Sequence, residues 1–282
     1  MITEEIRQER QNYIGGSDIG IILGLSNFKT AYQLYLEKKG LLVQNTEETP
    51  NQYWGNLHEP TIRKEFEKRN FVSIEYPIDT KQHNLYPFLK GNLDGFIPEW
   101  NSVFEVKTSS LFMKDKWGEP GTDQIPQDYL AQVAFYCALT NADFAHIAVL
   151  IGLSDYREYK YTRNHNLEEN IIKAACNFWD CLQKNVPPLP VNIDDLKLQW
   201  PNSTPDKVKI ISEDIIYYDL HCFKNTKEKQ KELSTIEDSY KFRLMEYMQD
   251  SEILHDNQGR VLATWKTNKK GVRVFNLKEN ID

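Results

Sequence analysis

The chain has 282 residues, of which 40% are hydrophobic, 12% aromatic and 27% charged, a composition that can bury one sizeable core and a small appendage. No apolar run reaches the roughly 18 residues of a membrane-spanning helix, and the charged stretch Met1 to Arg10 does not resemble a secretion signal. The net charge is −7. We therefore exclude membrane and secreted classes, expect a cytoplasmic protein, and expect any bound nucleic acid to occupy a local groove rather than a broadly basic surface.

The first part of the chain begins with a helical pattern. The residues from Ser17 to Gly24 predict a short helix capped by Ser17, and those from Thr30 to Lys39 predict a second. A third helix should carry Trp54 and Phe66, and Pro60 must either kink it or mark its first turn.

Strands and helices then alternate. Strands are predicted at Val72 to Ile78, Phe88 to Ile97, Ser102 to Thr108, Phe144 to Gly152 and Tyr156 to Tyr161. Helices are predicted from Pro126 to Thr140 and from Leu167 to Asn185. The irregular segment from Ser109 to Gln124 exceeds the usual connection length, which indicates a functional loop or a disordered one. The pattern predicts an α/β fold.

A proline-rich, polar stretch divides the chain. We place the core at residues 1–190, a linker at 191–212, and a helix-plus-β-hairpin extension of unknown role at 213–282. In the extension, apolar residues spaced three or four apart, from Leu233 to Tyr247, predict one helical stripe. The basic residues of the terminal hairpin are equally compatible with contact to a DNA backbone and with protection of an exposed sheet edge.

The turn between the second and third predicted strands brings two acidic residues together. If the turn is centred between Glu99 and Trp100, antiparallel pairing places Asp94 directly opposite Glu105. Lys107, two residues beyond Glu105, projects from the same face of the strand. Two opposed carboxylates are destabilising unless a cation lies between them.

This arrangement suits a hard divalent ion. Mg²⁺ is commonly held by one or two carboxylates together with water and phosphate oxygens, and Lys107 could position the attacking water or stabilise developing negative charge. The residues therefore suggest metal-dependent phosphodiester cleavage. Taken alone, the pattern is better explained by an ordinary turn followed by a solvated strand face, because short motifs often match by chance.

The wider sequence resembles a known family. Gly15-Gly16-Ser17-Asp18-Ile19, Leu23-Gly24-Leu25-Ser26, and Trp54-Gly55-Asn56-Leu57-His58-Glu59-Pro60 occur in the expected order before Asp94 and Glu105-Val106-Lys107. Together they resemble the YqaJ-type viral recombinases, a phage lambda exonuclease-like family of the PD-(D/E)xK nuclease superfamily. The resemblance covers about residues 7 to 165, and it implies a restriction-endonuclease-like core, a mixed sheet flanked by helices. The proline that usually precedes the first acid is replaced by Leu93.

The resemblance also implies roles for individual residues. Asp94, Glu105 and the Val106 carbonyl would hold Mg²⁺ or Mn²⁺, with Glu59 as a further ligand. Lys107 would direct the attacking water. Gln132 would position that water or a phosphate, and an ordinary polar position on the helix explains Gln132 equally well.

Further residues match or could join a DNA-binding surface. Arg10 and Ser17 match the family's pocket for a 5′-terminal phosphate, an assignment that suits the anion-binding capacity of a guanidinium and a helix start; N-capping also explains Ser17. Tyr136 shares a helical face with Gln132. Lys114 and Lys116, with Trp117, could hold a frayed strand through charge and stacking.

These implications define an expected function and its alternatives. The resemblance implies a 5′-to-3′ exonuclease that acts on duplex DNA ends in phage-type recombination, in a bacterial or phage-infected cell. A single-strand annealing protein would be its partner, and a homotrimer is one possible assembly. The alternatives are an endonuclease of the same chemistry, in defence or genome processing, and a non-catalytic module that binds DNA ends or a partner.

Overall fold

The structure is a computed structural model that describes residues 9–42 and 49–278, so most of the segment compared with a secretion signal lies outside the described residues. The chain divides into two compact units, Met1–Asn202 and Ser203–Asp282. Among the helices that the structure describes, none is both long and apolar enough to cross a bilayer.

The first unit opens with helices, as predicted. They are α1 (Gly16–Ile22), α2 (Ala31–Lys38) and α3 (Pro50–Asn70). The N-cap of α1 is Gly15, and the Asp18 side chain accepts a hydrogen bond from the Gly15 N–H at 2.9 Å. The prediction that Ser17 caps this helix is therefore wrong. Pro60 lies inside α3 rather than at its start.

A mixed four-stranded sheet forms the centre of this unit. Its strands are β3 (Gly95–Ile97), β4 (Ser102–Ser109), β5 (Phe144–Ile151) and β6 (Asp155–Thr162), in the order β3-β4-β5-β6. The central pair β4–β5 is parallel and the outer pairs are antiparallel. Two short strands, β1 (Lys81–Gln82) and β2 (Lys90–Gly91), pair separately.

Helices cover both faces of the sheet, because alternate residues of its strands are apolar on each side. On one side α1 packs with α4 (Gln127–Thr140) and α5 (His165–Lys184), and Val103 and Ile147 belong to the same apolar cluster. On the other side Phe66 of α3 packs on Phe104, with ring centroids 4.8 Å apart. The predicted fold class, a mixed sheet flanked by helices, is confirmed.

The predicted register of the hairpin is also observed. Gly95 lies opposite Phe104 and Ile97 opposite Ser102, with Pro98–Trp100 forming the turn as a short 3₁₀ helix. Asp94 immediately precedes the first paired residue of β3. The register therefore brings Asp94 beside Glu105.

Two local predictions are wrong: the strand at Val72 to Ile78 and the stacking of Trp117 on DNA. The segment from Val72 to Ile78 forms a single bridge, Glu75 to Phe96, rather than a strand. The segment from Ser109 to Gln124 is ordered: it includes a 3₁₀ helix, Leu111–Lys116, and buries Trp117 to 3% exposure. Trp117 packs on Tyr159 and donates a hydrogen bond to Ser109 Oγ at 3.1 Å, so it is not available to stack on a DNA base.

The segment that we predicted as a linker starts with ordered structure. Helix α6 (Ile193–Gln199) carries Asp195, which is fully buried. The Asp195 carboxylate accepts hydrogen bonds from Thr30 Oγ1 at 2.9 Å and Gln33 Nε2 at 3.0 Å. These contacts fasten the first part of the segment to α2 within the first unit.

The second unit consists of a long helix and a small sheet. Its elements are α7 (Asp214–Met248), β7 (Ile253–His255), β8 (Val261–Thr267) and β9 (Arg273–Leu277). The antiparallel pair β8–β9 is the predicted hairpin, whereas β7 was not predicted. The Arg273 guanidinium lies 3.5 Å from the Trp265 ring centroid and donates to the Gln249 and Ser251 carbonyls. One of the basic residues of the hairpin is therefore engaged within the unit.

Candidate active site

A cleft of about 430 Å³ opens beside the sheet of the first unit. It is lined by nine of the residues singled out from the sequence: Arg10, Ser17, Glu59, Asp94, Glu105, Val106, Lys107, Gln132 and Tyr136. These residues belong to α1, α3, α4, β4 and the segments before α1 and β3, which lie far apart in the sequence. The fold therefore brings nearly the whole predicted set together, while Lys114 and Lys116 are not among the described residues that line the cleft.

Asp94 and Glu105 are held by β4 in different ways. Asp94 Oδ2 accepts a hydrogen bond from the backbone N–H of Val106 at 2.9 Å. Glu105 is itself part of the strand and is only 2% exposed. Since neighbouring strand residues point to opposite faces, Val106 packs its side chain into the core while Glu105 faces the cleft.

Lys107 connects Glu105 to α4. Its Nζ lies 2.5 Å from Glu105 Oε1 and 3.1 Å from Gln132 Oε1. Gln132 Nε2 in turn donates to Glu105 Oε1 at 2.8 Å and to the Tyr136 hydroxyl at 3.1 Å. Gln132 and Tyr136 share one helical face, as their spacing predicts, and the network fixes the Lys107 ammonium in the cleft.

The pKa values reflect buried like charges. Burial, reinforced by the neighbouring Asp94, raises the pKa of Glu105 to about 8 despite the opposing effect of Lys107. Burial also raises the pKa of Asp94, and burial together with Asp94 raises that of Glu59. Burial alone would lower the pKa of Lys107, but Glu105 and Asp94 outweigh it and raise that pKa. The site therefore holds a charged lysine and carboxylates that favour an additional positive charge.

Glu105 has the features of a ligand for a hard cation. Its second oxygen, Oε2, is buried and has no hydrogen-bond partner within the described chain, an arrangement that is costly for a carboxylate unless a cation or water meets it. Across the described residues, no group of three or more His, Cys, Asp or Glu side chains is close enough to form a metal site by itself. Magnesium usually completes its shell with water and substrate phosphate, so Asp94 and Glu105 fit such an ion.

Glu59 lies on the wall of the same cleft. It projects from α3 and forms an ion pair with Arg63, four residues along the helix. The Arg63 guanidinium also lies 3.6 Å from the centroid of the Tyr76 ring. Arg63 therefore partly neutralises Glu59 and holds it on the wall of the cleft.

Cationic groups also line the cleft. Arg10 Nη2 lies 3.5 Å from Ser17 Oγ. Lys90, which belongs to none of the predicted motifs, also lines the cleft, and its Nζ lies 5.3 Å from the centroid of the Tyr13 ring. Together with Lys107, these groups provide positive charge around the carboxylates, which suits a polyanionic ligand.

Buried contacts fix the N-terminal segment beside the cleft. The Lys38 ammonium donates to the backbone carbonyls of Arg10 and Tyr13, at 2.9 and 2.7 Å, and pairs with Asp18 at 2.8 Å. Lys38 is remote in sequence from every motif, so the sequence offered no signal for this role. Lys90 could have been found, because it stands only four residues before Asp94.

Lys114 lies on the Leu111–Lys116 3₁₀ helix, where it pairs with Asp155 at 2.9 Å. Its side chain is half exposed, and Lys116 is also exposed. A contact of either lysine with DNA stays a prediction.

Comparisons with known proteins agree with this architecture. Residues 5–143 match the YqaJ-like viral recombinase domain. The uncharacterized protein YqaJ of Bacillus subtilis (strain 168) is 32% identical over 182 residues, which are 64% of this chain and 56% of that protein. The chain thus spans little more than half the length of this curated relative.

Two solved structures share the fold. The alkaline exonuclease LHK-Exo from Laribacter hongkongensis superimposes with a TM-score of 0.52, at 15% identity, over 65% of this chain and 94% of the exonuclease. LHK-Exo in complex with dAMP gives a TM-score of 0.53, at 14% identity, over 70% and 97% of the two chains. Over residues 5–143 the first unit is therefore similar to the YqaJ-like viral recombinase domain, and it shares the fold of LHK-Exo.

Proposed function

We propose that this protein is a divalent-cation-dependent deoxyribonuclease that degrades duplex DNA from its 5′ ends. The observation that carries the proposal is the convergence of Asp94, Glu105 and Lys107 in one cleft, with Glu105 Oε2 buried and unpartnered within the described chain. The resemblance of the fold to an alkaline exonuclease, and the dAMP held by one of those structures, support a nucleic-acid substrate.

Each residue has a chemical task in this proposal. Asp94, Glu105 and the Val106 carbonyl would hold Mg²⁺ or Mn²⁺, with Glu59 adding a ligand through water. When bound, the ion would neutralise the scissile phosphate and make the attacking water more acidic. Lys107 would orient that water and stabilise the extra negative charge on the phosphate. Gln132 would keep Lys107 aimed into the cleft through the 3.1 Å contact.

The 5′ polarity rests on Arg10 and Ser17, which line the same cleft. Arg10 and Ser17 lie within reach of one another and of the same open space as Glu105. A guanidinium and a hydroxyl together suit a terminal phosphate monoester, which carries more negative charge than an internal diester. An annealing protein that takes up the resulting 3′ tail belongs to the same proposal.

A cleavage assay tests the proposal directly. The substrates are linear duplex DNA with a 5′-phosphate, the same duplex with a 5′-hydroxyl, and a covalently closed circle, each with Mg²⁺ or EDTA. We expect degradation of the phosphorylated linear duplex with Mg²⁺ only, slower degradation of the 5′-hydroxyl duplex, and an intact circle.

Other outcomes have defined meanings. Cleavage of the circle would replace the exonuclease with an endonuclease of the same chemistry. No Mg²⁺-dependent cleavage of any substrate, by protein whose fold is verified by circular dichroism, would leave a non-catalytic DNA-binding module and overturn the proposal.

A further inference from the structure

Helix α7 carries a mostly apolar stripe of side chains along its length. The stripe is formed by ten residues spaced three or four apart: Ile215, Tyr218, Cys222, Thr226, Lys229, Leu233, Ile236, Tyr240, Leu244 and Tyr247. At 3.6 residues per turn, all ten fall within a sector of about 80°. Eight of the ten side chains are exposed in the described chain, among them Tyr218 at 64%, Leu233 at 65% and Tyr247 at 78%, and Cys222 and Leu244 are partly buried.

The spacing along the stripe is the same in both directions. The steps from Ile215 to Tyr247 are three, four, four, three, four, three, four, four and three residues. A palindromic spacing means that a second, antiparallel copy of α7 meets the first with every stripe residue opposite a stripe residue. The two-fold axis then crosses the stripe at the level of Lys231, which itself lies on the face of the helix opposite the stripe.

We propose that α7 pairs with α7 of a second copy of this chain as an antiparallel coiled coil. Ile215 then packs on Tyr247, Tyr218 on Leu244, and Cys222 on Tyr240 of the second copy. Each contact occurs twice by symmetry, as in any two-fold interface. The apolar contacts form both ends of the interface, and Thr226 and Lys229 lie near its centre.

The charges favour this partner and this direction. The antiparallel register places Lys229 beside Glu232 of the second copy and Asp219 beside Lys241. A parallel, in-register pair would instead set Lys229 directly against Lys229, which disfavours that arrangement. Polar residues at core positions are known to fix the register and partner of coiled coils.

The contact is large enough for a stable dimer. The stripe runs for about 48 Å along the helix at 1.5 Å per residue. Three tyrosines from each copy can bury on the order of 1,000 Å² between them before the aliphatic residues are counted, which approaches the area of specific interfaces. This assembly goes beyond the proposed nuclease activity and does not depend on it.

A disulfide test distinguishes the two directions in the full-length protein. We expect Tyr240→Cys to form a covalent dimer on mild oxidation, because Cys222 of the second copy lies opposite position 240. The wild type should not form one, since the two Cys222 residues are about 27 Å apart in the antiparallel pair. Phe242→Cys, on the opposite face of α7, is the matched control and should stay monomeric on a non-reducing gel.

The dimer must disappear when Cys222→Ser is added to Tyr240→Cys. A covalent dimer of the wild type through Cys222 would indicate a parallel pair and overturn the proposal. The proposal would also be overturned if Tyr240→Cys failed to cross-link. This test is done at protein concentrations well above those of the light-scattering experiment described next.

Light scattering gives a second test without engineered cysteines. We expect Leu233→Glu combined with Ile236→Glu to halve the mass of the wild-type assembly, whereas Phe242→Glu leaves the mass unchanged. Because the three side chains are exposed on one helix, the variants should have the same helical content by circular dichroism. An equal mass for all three proteins would contradict the proposal.

Discussion

The Asp94 carboxylate accepts a hydrogen bond from the backbone N–H of Val106 at 2.9 Å. This bond joins the residue that precedes β3 to the middle of β4. It places a second carboxylate beside Glu105, so the same contact serves the fold and the proposed chemistry.

Two substitutions at Asp94 should separate these roles. Asp94→Asn keeps an oxygen that can accept the Val106 bond, so we expect near wild-type stability but cleavage reduced by about 100-fold or more, because one anionic ligand is lost. Asp94→Ala also leaves the Val106 N–H unpaired and should lower the free energy of unfolding by about 1–3 kcal/mol. Urea unfolding and single-turnover cleavage measure the two effects. Equal activity of Asp94→Asn and wild type would remove Asp94 from the active site.

Lys107 and Lys114 form a matched pair of lysines. Both are ion-paired in the structure, but only Lys107 lines the cleft. We expect Lys107→Ala to lower the cleavage rate by about 100- to 1,000-fold, the range seen when a group that stabilises developing charge is removed. Lys114→Ala should change the rate constant by less than about threefold. If the two substitutions had equal effects on the single-turnover rate constant, Lys107 would have no special part in the chemistry.

Alanine substitutions at two helical glycines should have opposite effects on the free energy of unfolding. A Cβ on Gly16 would lie 2.4 Å from the Tyr136 ring, so Gly16→Ala must displace the ring or α1. We expect it to lower the free energy of unfolding by about 1–3 kcal/mol. Gly55 in α3 has room, since a Cβ there would lie 3.5 Å from Thr108 Oγ1, so Gly55→Ala should raise stability by up to about 1 kcal/mol. Thermal denaturation of both variants checks the contrast, and stabilisation by Gly16→Ala would contradict it.

His146 should make stability depend on pH. Burial, helped by Lys160, lowers its pKa from 6.5 to about 4. Between these values the unfolded chain takes up a proton that the folded chain does not, so the free energy of unfolding falls as the pH falls. Allowing for partial exposure of the ring, we expect about 1–2 kcal/mol less stability at pH 4.5 than at pH 7 from this residue. Urea unfolding of wild type and His146→Gln tests this, and parallel pH dependences would refute it.

Much of the site could be predicted because its key geometry is local. A four-residue turn fixes the register of β3 and β4, and the strand period then decides which side chains share a face with Glu105. The i, i+4 spacing likewise placed Gln132 beside Tyr136. The family resemblance predicted Arg10, Ser17 and Glu59 as site residues. Their positions in the cleft depend on long-range packing, which residue spacing does not encode.

The remaining features depend on contacts that spacing does not encode. The segment from Val72 to Ile78 has strand-like residues, but it makes only one bridge to Phe96 and therefore stays irregular. The long segment before α4 is ordered because Trp117 packs between Tyr129 and Tyr159. The capping prediction at Ser17 failed because Asp18 could satisfy the Gly15 N–H instead.

The most direct test of the central claim is the position of a bound metal. In a crystal soaked with Mn²⁺, we predict an anomalous scattering peak within about 2.5 Å of carboxylate oxygens of both Asp94 and Glu105, and its loss in Glu105→Gln. A well-ordered cleft with no peak between these two side chains, at a manganese concentration that supports cleavage in solution, would contradict it.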